Sequence, residues 1–294
     1  DQMLVGRTAW LDKTEGPTPS TDPLDYRDLA ILSKVYRLYG VIRLRHLYPW
    51  ISTWETTELY AGTTAPSGAE DAWYLFAIDC ELARVTGQDF TGGSADIWKC
   101  FDQWQRDILY QLLTLAGFPS AILTAYSSFH EAVQYHNTIG KALGAPHSKP
   151  CSIPQGCPFS MMMVGFSFHP WVAMIKSMGA IPRALADDLT IVAFGPGHEQ
   201  RFRDSFSTTM LYLKALGAKP APSKCFTFSS SAETRPKLRD YYWETLQSKV
   251  KVVNDARDLG AHLSVTATLK GATLKARIDK AISLSAKLCC FPWG

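Results

Sequence analysis

Two adjacent acidic residues divide an apolar segment, and no other feature of the sequence constrains the fold as much. Asp187 and Asp188 separate the short, mostly apolar runs 183–186 and 189–194. Short runs of this kind are typical of β-strands, and Asp is common in tight turns. The pattern predicts two antiparallel strands joined at Asp187-Asp188, so that a hairpin tip presents two carboxylates. An ordinary solvated turn is the alternative that this pattern leaves open.

A third acidic residue, Asp96, lies at a predicted junction between a strand and a helix. Gly92 and Gly93 precede the strand candidate 94–97. A helix that ends at Gly117 is predicted next. The apolar residues that share one of its faces are Phe101, Trp104, Ile108, Leu109 and Leu112. A sheet can bring Asp96 beside Asp187 although they are far apart in sequence. Carboxylates from separate strands are the hard ligands that magnesium prefers.

The remaining elements alternate without βαβ regularity. We predict strands at 3–11 and 225–228, a second hairpin around Leu259-Gly260, and helices at 29–47, 71–85, 160–178, 198–216 and 274–288. The segment 16–25 is a loop by composition. This order favours an α+β fold with an antiparallel sheet and helices on one face.

Composition excludes several classes of protein. Of the 294 residues, 46% are hydrophobic and 19% are charged, which is typical of a globular protein rather than a disordered one. No apolar run approaches the length that spans a bilayer, so no membrane partner is expected. The seven cysteines lack paired C-x-x-C spacing, so we interpret them as thiols of an intracellular protein, in the nucleus or cytoplasm, without a zinc site.

Charge is distributed unevenly along the chain. Residues 51–213 carry 9 basic and 15 acidic groups, whereas residues 214–294 carry 14 basic and 6 acidic groups. An acidic middle suits cations, and a basic C-terminal third suits a polyanion such as nucleic acid. Solvated surfaces are the simpler interpretation when charge is considered alone.

Five segments occur in one order along the chain: DIWKCFD (96–102), IPQGCPFS (153–160), ALADDLTIVA (184–193), LGAKPAPSKCFTF (216–228) and DLGAHL (258–263). With DYRDLAILSKVYRLYGVIRLRHL (25–47) and AGTTAPSGAEDA (61–72), they resemble the reverse transcriptase family, particularly the non-LTR retroelement and group II intron-type enzymes. The resemblance extends from about residue 7 to residue 280. No single motif is decisive, but their order is specific.

The resemblance implies an RNA-directed DNA polymerase with a right-hand fold. Fingers and a pre-palm segment would cover 1–95, palm 96–118, returning fingers 119–150, palm again 151–263, and the start of a truncated thumb 264–294. The expected partners are an RNA template, a DNA primer and deoxynucleoside triphosphates. The short final segment suggests part of a longer polypeptide.

The resemblance also assigns residues to the chemistry. Asp96, Asp187 and, more weakly, Asp188 would hold two Mg²⁺ or Mn²⁺ ions, with the backbone carbonyl of Ile97 completing a shell. Nucleotidyl transfer uses such an ion pair, about 4 Å apart, to activate the primer hydroxyl and neutralise the leaving pyrophosphate. Lys224 would protonate that pyrophosphate.

Other residues would bind substrate. Lys13 and Arg27 match the residues that hold the triphosphate, and Gln155 with Gly156 matches the loop beside the templating base. Phe101 matches an aromatic gate that excludes a ribose 2′-hydroxyl, although its helical position alone favours an ordinary core residue.

Further along, Leu259 and Gly260 match the primer grip. The helix with Lys275, Arg277 and Lys280 would begin the thumb and contact duplex phosphates.

Several positions depart from the family pattern, among them Trp98, Cys100 and Met161 as well as the two that follow. Leu185 stands where an aromatic residue usually supports the primer, and Asp28 follows Arg27 where proline is usual. Two alternatives stay open, namely a related RNA-dependent RNA polymerase and a catalytically inactive RNA-binding scaffold. Phe101 argues against the first, since a ribonucleotide needs space at the gate, and the three aspartates argue against the second.

Overall fold

The computed structural model describes residues 2–13, 20–22, 25–65, 67–139, 142–258, 261–265 and 272–288. Within these residues a 3₁₀ turn at Gln2–Leu4 precedes helices α1 Lys34–His46, α2 Tyr48–Ile51, α3 Ala69–Val85, α4 Cys100–Gln103, α5 Arg106–Leu115, α6 Ser120–Ala132, α7 Ser160–Ser177, α8 His198–Ala215, α9 Thr234–Asp240 and α10 Ala272–Leu288. Among these helices, none has both the length and the apolar character needed to cross a membrane.

The strands alternate with these helices in a mixed α+β order. They are β1 Val5–Asp12, β2 Tyr26–Ile31, β3 Phe90–Ala95, β4 Gln134–Ile139, β5 Ala142–His147, β6 Ile181–Leu185, β7 Asp188–Phe194, β8 Phe226–Ser229, β9 Tyr242–Trp243, β10 Ser248–Lys249, β11 Lys251–Val252, β12 Asp255–Asp258 and β13 Ala261–Ser264. The chain forms two compact units, the first from residues 1–66, 97–172 and 211–220, and the second from the rest.

The first unit contains a four-stranded sheet in the order β2-β1-β4-β5. Strand β1 pairs antiparallel with β2 and parallel with β4, and β4 pairs antiparallel with β5. Gly6 lies on β1 where a Cβ atom would come within 2.8 Å of the Tyr135 ring. The central strand therefore needs glycine at that point to pack against its parallel neighbour.

The second unit contains a five-stranded sheet in the order β11-β8-β3-β7-β6. Strands β3, β6, β7 and β8 pair antiparallel with their neighbours, while β11 pairs parallel with β8. The mixed α+β architecture with antiparallel pairing agrees with the prediction from sequence. Two short hairpins, β9–β10 and β12–β13, complete the strands of this unit.

Apolar side chains from α3 cover one face of this sheet. Phe76, Cys80 and Ala83 pack with Phe90 and with buried residues of β7 and β8. The predicted helical layer on one face of the sheet is therefore present. Helix α8 packs on the opposite face. Gly93 and Gly92 point to opposite faces, since side-chain directions alternate along a strand, and a Cβ at Gly93 would meet the Phe202 ring of α8 at 2.9 Å.

Two predicted helices differ from the observed elements. Residues 26–31 form β2, so the helix predicted at 29–47 begins only at Lys34. Leu29 matches the helical spacing, but it pairs with Ala9 of β1. Ser33 then caps α1, its side-chain oxygen accepting a hydrogen bond from the Tyr36 amide at 3.2 Å. Pairing with another strand overrides the local periodicity.

The helix predicted after Asp96 is interrupted at Trp104 and Gln105. The carbonyl oxygens of Phe101 and Trp104 accept hydrogen bonds from the amides of Ile153 and Ser152, both at 2.8 Å. These carbonyls would otherwise accept from amides within a continuous helix. A distant segment of the chain therefore divides the predicted helix into α4 and α5.

His130 is a buried histidine in the first unit. Its Nε2 lies 2.9 Å from Tyr36 Oη, which is also 3.3 Å from Cys157 Sγ. Burial, together with the charge of Arg106, lowers the pKa of His130 to about 3. The folded chain therefore keeps this imidazole neutral at pH values where the unfolded chain protonates it.

We expect His130 to weaken the fold as the pH falls from about 6.5 towards 3. A depressed histidine pKa contributes stability that is complete above the unfolded value and is lost below it. Between pH 7 and pH 5 the loss is about 2 kcal/mol. His130→Gln should remove this component from urea unfolding curves, whereas His46→Gln on the exposed face of α1 should retain it. An unchanged pH dependence in His130→Gln would contradict the assignment.

Candidate active site

The acidic hairpin forms in the second unit, with its turn one residue earlier than predicted. Leu185 of β6 pairs with Asp188 of β7, so Ala186 and Asp187 form the tip. Asp188 is therefore the first residue of a strand rather than a turn residue. Ala186 has a φ of 53°, in the left-handed region that disfavours a residue with a side chain. The turn holds Asp187 at its end at the cost of local strain.

Asp96 lies at the same end of the neighbouring strand. Strand β3 pairs antiparallel with β7 up to Ala95 opposite Leu189. Asp96 follows the last paired residue of β3, and Asp188 precedes Leu189 on β7, so the two residues lie at the same end of the paired strands. Asp96 and the hairpin residues Asp187 and Asp188 therefore lie at the same end of two adjacent strands, which we call the acidic edge.

The segment after residue 220 surrounds Asp96. The Ala221 amide donates to the Asp96 carbonyl at 2.9 Å, and the Asp96 amide donates to Cys225 Sγ at 3.4 Å. Lys224 Nζ lies 3.4 Å from Asp96 Oδ1, and its side chain is 62% exposed whereas that of Asp96 is 25% exposed. The structure therefore brings Lys224 together with Asp96.

The carboxylate oxygens at this edge suit divalent cations whose remaining ligands come from a substrate. In the part of the chain that is described, no three His, Cys, Asp or Glu side chains form a group that could hold a metal by themselves. Magnesium is usually bound by one or two carboxylates together with substrate phosphates, rather than by a cage of protein ligands. Asp96, Asp187 and Asp188 supply such carboxylates. Ile97 is buried and pairs with Pro220 in the first unit.

The predicted triphosphate residues lie on the first hairpin of the first unit. Leu11 of β1 pairs with Arg27 of β2, and the Lys13 amide donates to the Asp25 carbonyl at 2.9 Å. Both Lys13 and Arg27 are exposed. The structure thus places the two cations near the same end of a two-stranded pairing.

The loop with Gln155 and Gly156 packs against β2. The Gln155 carbonyl accepts a hydrogen bond from the Ala30 amide at 2.8 Å. Gly156 has a φ of 115°, and a Cβ atom there would come within 2.4 Å of the Ala30 carbonyl oxygen. Only glycine allows this approach. The loop also bonds to the half-buried Phe101 through the Ile153 amide, so Arg27, Phe101, Gln155 and Gly156 belong to three connected segments.

Residues at the end of the chain are placed in part. Leu259 and Gly260, predicted as the primer grip, lie outside the described residues, although the flanking pair Asp258 and Ala261 joins β12 to β13. On α10, Lys275, Arg277 and Lys280 are exposed.

Sequence reasoning assigned no role to Trp98. Its ring is 40% exposed, and the ammonium groups of Lys99 and Lys219 each lie 5.8 Å from its centroid. The Trp98 amide donates to the Lys219 carbonyl at 2.9 Å. The large aromatic residue between Asp96 and Phe101 was the available signal. Nothing local in the sequence connects it with Lys219.

Comparison with known proteins identifies the fold of the chain. No protein-family model matches the chain, and no curated protein sequence matches it. Among solved structures, apo telomerase from Candida tropicalis truncated from its C-terminal domain superposes with a TM-score of 0.62 at 11% identity, over 90% of this chain and 54% of that chain. The fold is reverse-transcriptase-like.

Two further telomerase structures are similar to this reverse-transcriptase-like chain. Telomerase from Candida tropicalis with a fragment of telomeric RNA gives a TM-score of 0.59 at 10% identity, over 79% of this chain and 42% of that chain. The corresponding complex from Candida albicans gives 0.51 at 11% identity, over 77% and 42%. The chain therefore spans about half the length of these structures.

Proposed function

We propose that this chain is an RNA-directed DNA polymerase domain that extends a primer by two-metal nucleotidyl transfer. The pairing of Ala95 with Leu189, which leaves Asp96 and Asp188 at the same end of two adjacent strands, is the observation that carries the proposal. Carboxylates from two separate strands at one edge are what a cation pair requires. The reverse-transcriptase-like fold supports the same reaction class.

In this proposal the acidic edge binds Mg²⁺ or Mn²⁺, with the Ile97 carbonyl as a further ligand. When bound, the cations would lower the pKa of the primer hydroxyl and neutralise the pyrophosphate. Lys224 neutralises Asp96 in the free protein and would be available to protonate the leaving pyrophosphate. Its partial exposure leaves the ammonium able to move from the carboxylate to a phosphate.

The substrate contacts belong to the first unit. Lys13 and Arg27 would bind the triphosphate, Arg27 through paired N–H groups and Lys13 as a point charge. Gly156 allows the loop backbone to lie close to β2, and Gln155 would contact the base pair being formed. In this proposal residues 1–95 and 119–150 act as fingers, 96–118 and 151–263 as palm, and 264–294 as the start of a thumb.

The template would be RNA, the primer DNA and the substrates deoxynucleoside triphosphates. The ordered motifs support an origin in a non-LTR or group II intron-type retroelement. RNA binding is a property of the telomerase complexes with which the chain shares its fold. The exposed cations of α10 would contact duplex phosphates and make binding sensitive to salt.

The deciding experiment is primer extension on an RNA template. The chain should extend an annealed DNA primer with Mg²⁺ and deoxynucleotides, and EDTA should stop the reaction without releasing the RNA. Retained RNA binding with no extension at any Mg²⁺ or Mn²⁺ concentration would refute the polymerase proposal.

An RNA-binding scaffold without catalysis is the second candidate. The observation that favours it is that, within the described residues, no three potential metal ligands form a group on their own. The scaffold predicts that RNA binding is indifferent to Mg²⁺ and that no primer is extended. The same assay therefore separates the two functions.

Phe101 gives a prediction about sugar selection. A ring beside the sugar would exclude a 2′-hydroxyl by repulsion. We expect Phe101→Ala to raise ribonucleotide incorporation relative to deoxynucleotide incorporation by roughly tenfold to a hundredfold. The ratio of kcat/KM values for one base measures this effect, with Phe118→Ala as a buried aromatic control. Unchanged sugar discrimination would remove the gate assignment and reopen the RNA-polymerase alternative.

A further inference from the structure

Lys149 joins two carboxylates that are far away in sequence. Its Nζ lies 2.5 Å from Asp28 Oδ2 and 3.8 Å from Asp102 Oδ1. The three side chains are 12–27% exposed, so solvent screens them only in part. The ammonium also lies 5.3 Å from the centroid of the Tyr135 ring. We call Asp28, Lys149 and Asp102 the carboxylate clamp.

The charges in the clamp do not balance when both carboxyl groups are ionised. Burial and the neighbouring Asp28 charge raise the pKa of Asp102 to about 6, against the opposing charges of Lys149 and Lys99. Burial would also raise the pKa of Asp28, but the hydrogen bond and charge of Lys149 outweigh it, and the pKa of Asp28 is lowered. The interaction between the two carboxyl groups lowers the pKa of Asp28 and raises that of Asp102. Near pH 6, Asp102 is therefore the group that takes up a proton.

Two members of the clamp are adjacent in sequence to a predicted substrate contact, and the third begins the segment that leads to another. Asp28 follows Arg27 on β2, and adjacent residues of a strand point to opposite faces. Asp102 follows Phe101 on α4. Lys149 begins the segment that continues to Gln155, and buried Arg106 holds its carbonyl oxygen at 2.6 Å. Cys151 Sγ donates to the Asp102 carbonyl at 3.2 Å.

We propose that Lys149 is a positioning residue whose bridge from Asp28 to Asp102 sets the positions of Arg27 and Phe101 for nucleotide binding and sugar selection. The inference rests on the proposed polymerase function. Asp28 stands where related sequences usually have proline, so the bridge is a feature of this chain rather than of the resemblance. Losing the Asp102 proton places two negative charges close together, and the charges of Lys149 and Lys99 offset their repulsion.

The kinetic test compares Lys149→Met with Lys149→Arg. Methionine leaves two partly buried carboxylates without their cation, and a misplaced binding group can cost up to a hundredfold in rate. We expect Lys149→Met to raise KM for deoxynucleotides roughly tenfold and to reduce sugar discrimination, with a smaller change in kcat. Lys149→Arg keeps the positive charge and should retain most of the wild-type KM and sugar discrimination. Lys34→Met, on the exposed surface of α1, is the matched loss of a cation and should behave as the wild-type chain.

The second test does not depend on activity or on the folding of the methionine variant. In the wild-type chain, the amide NMR signals of Arg27 and Phe101 should shift with pH together with the Asp102 carboxyl signal, with a midpoint near pH 6. Asp102→Asn should abolish these shifts. The charged groups that face Asp102 are Asp28, Lys149 and Lys99.

The outcomes are separable. Lower stability in Lys149→Met with unchanged KM and unchanged sugar discrimination would overturn the positioning role, as would an Asp102 titration that leaves Arg27 and Phe101 unmoved. If the wild-type chain extends no primer, the proposed polymerase function fails. The carboxylate clamp is then supported if the NMR signals of Asp102, Arg27 and Phe101 titrate together, and it is refuted if they do not.

Discussion

Replacing either Asp96 or Asp187 with Asn is expected to lower primer extension by at least about a thousandfold. Asn keeps the size of the side chain but removes the negative charge that holds a divalent cation. The two residues lie at the same end of neighbouring strands of one sheet, so each loss should disable the same cation pair. Extension under saturating deoxynucleotide measures the effect, and affinity for the RNA–primer duplex should change by less than about threefold, because neither carboxylate attracts a polyanion.

Asp204→Asn provides the matched control, since Asp204 is an exposed acidic residue of α8 in the same unit. This variant should extend primers at the wild-type rate. Combining Asp96→Asn with Asp187→Asn should cost little more than either change alone, because residues that act as a unit are not additive. Independent, additive losses would mean that the two carboxylates do not serve one cation pair.

The hairpin of β6 and β7 was predictable because its signal is local. Two apolar runs flank polar residues, and such a pattern determines which residues face the core. Its turn was not predictable to the residue. Asp187-Asp188 is the chemically favoured tip, but pairing of Leu185 with Asp188 moves the turn onto Ala186, which adopts a left-handed conformation that nothing in its side chain favours.

The sheet of the first unit was largely missed. Strands β4 and β5 carry His136, Asn137 and Pro146 among mostly exposed residues, so they lack the alternating apolar pattern that identifies a half-buried strand. The parallel pairing of β1 with β4 joins residues more than a hundred positions apart. Contacts of that range leave no trace in a local window.

The residues of the candidate site also differ in how far the sequence could predict them. Asp96, Asp187 and Gly156 stand in segments with recognisable order and spacing, so the resemblance could assign them roles. Lys149 could not be found in this manner. Its partner Asp28 lies 121 positions away, and Asp102 is also distant in sequence. A lysine in a polar loop is ordinarily a solvated cation.

Strand β3 links the stability of the second unit to the geometry of the acidic edge. Gly93 lies three residues before Asp96, and a Cβ atom there would come within 2.6 Å of the Phe226 carbonyl oxygen and 2.9 Å of the Phe202 ring. The backbone oxygen belongs to β8, which is hydrogen-bonded to β3. Neither strand can move away without breaking the ladder that places Asp96.

We therefore expect Gly93→Ala to lower the free energy of unfolding by about 3 kcal/mol, a large effect for one added methyl group. Gly144→Ala is the matched control on β5, where the nearest atom is 3.5 Å from the added Cβ. That change should be neutral or stabilise the fold by about 0.5 kcal/mol, because alanine loses less conformational freedom than glycine on folding. Urea unfolding of both variants measures the contrast. Equal stabilities for the two variants would mean that β3 and β8 separate easily, and the β3–β8 ladder would no longer account for the position of the strand that leads to Asp96.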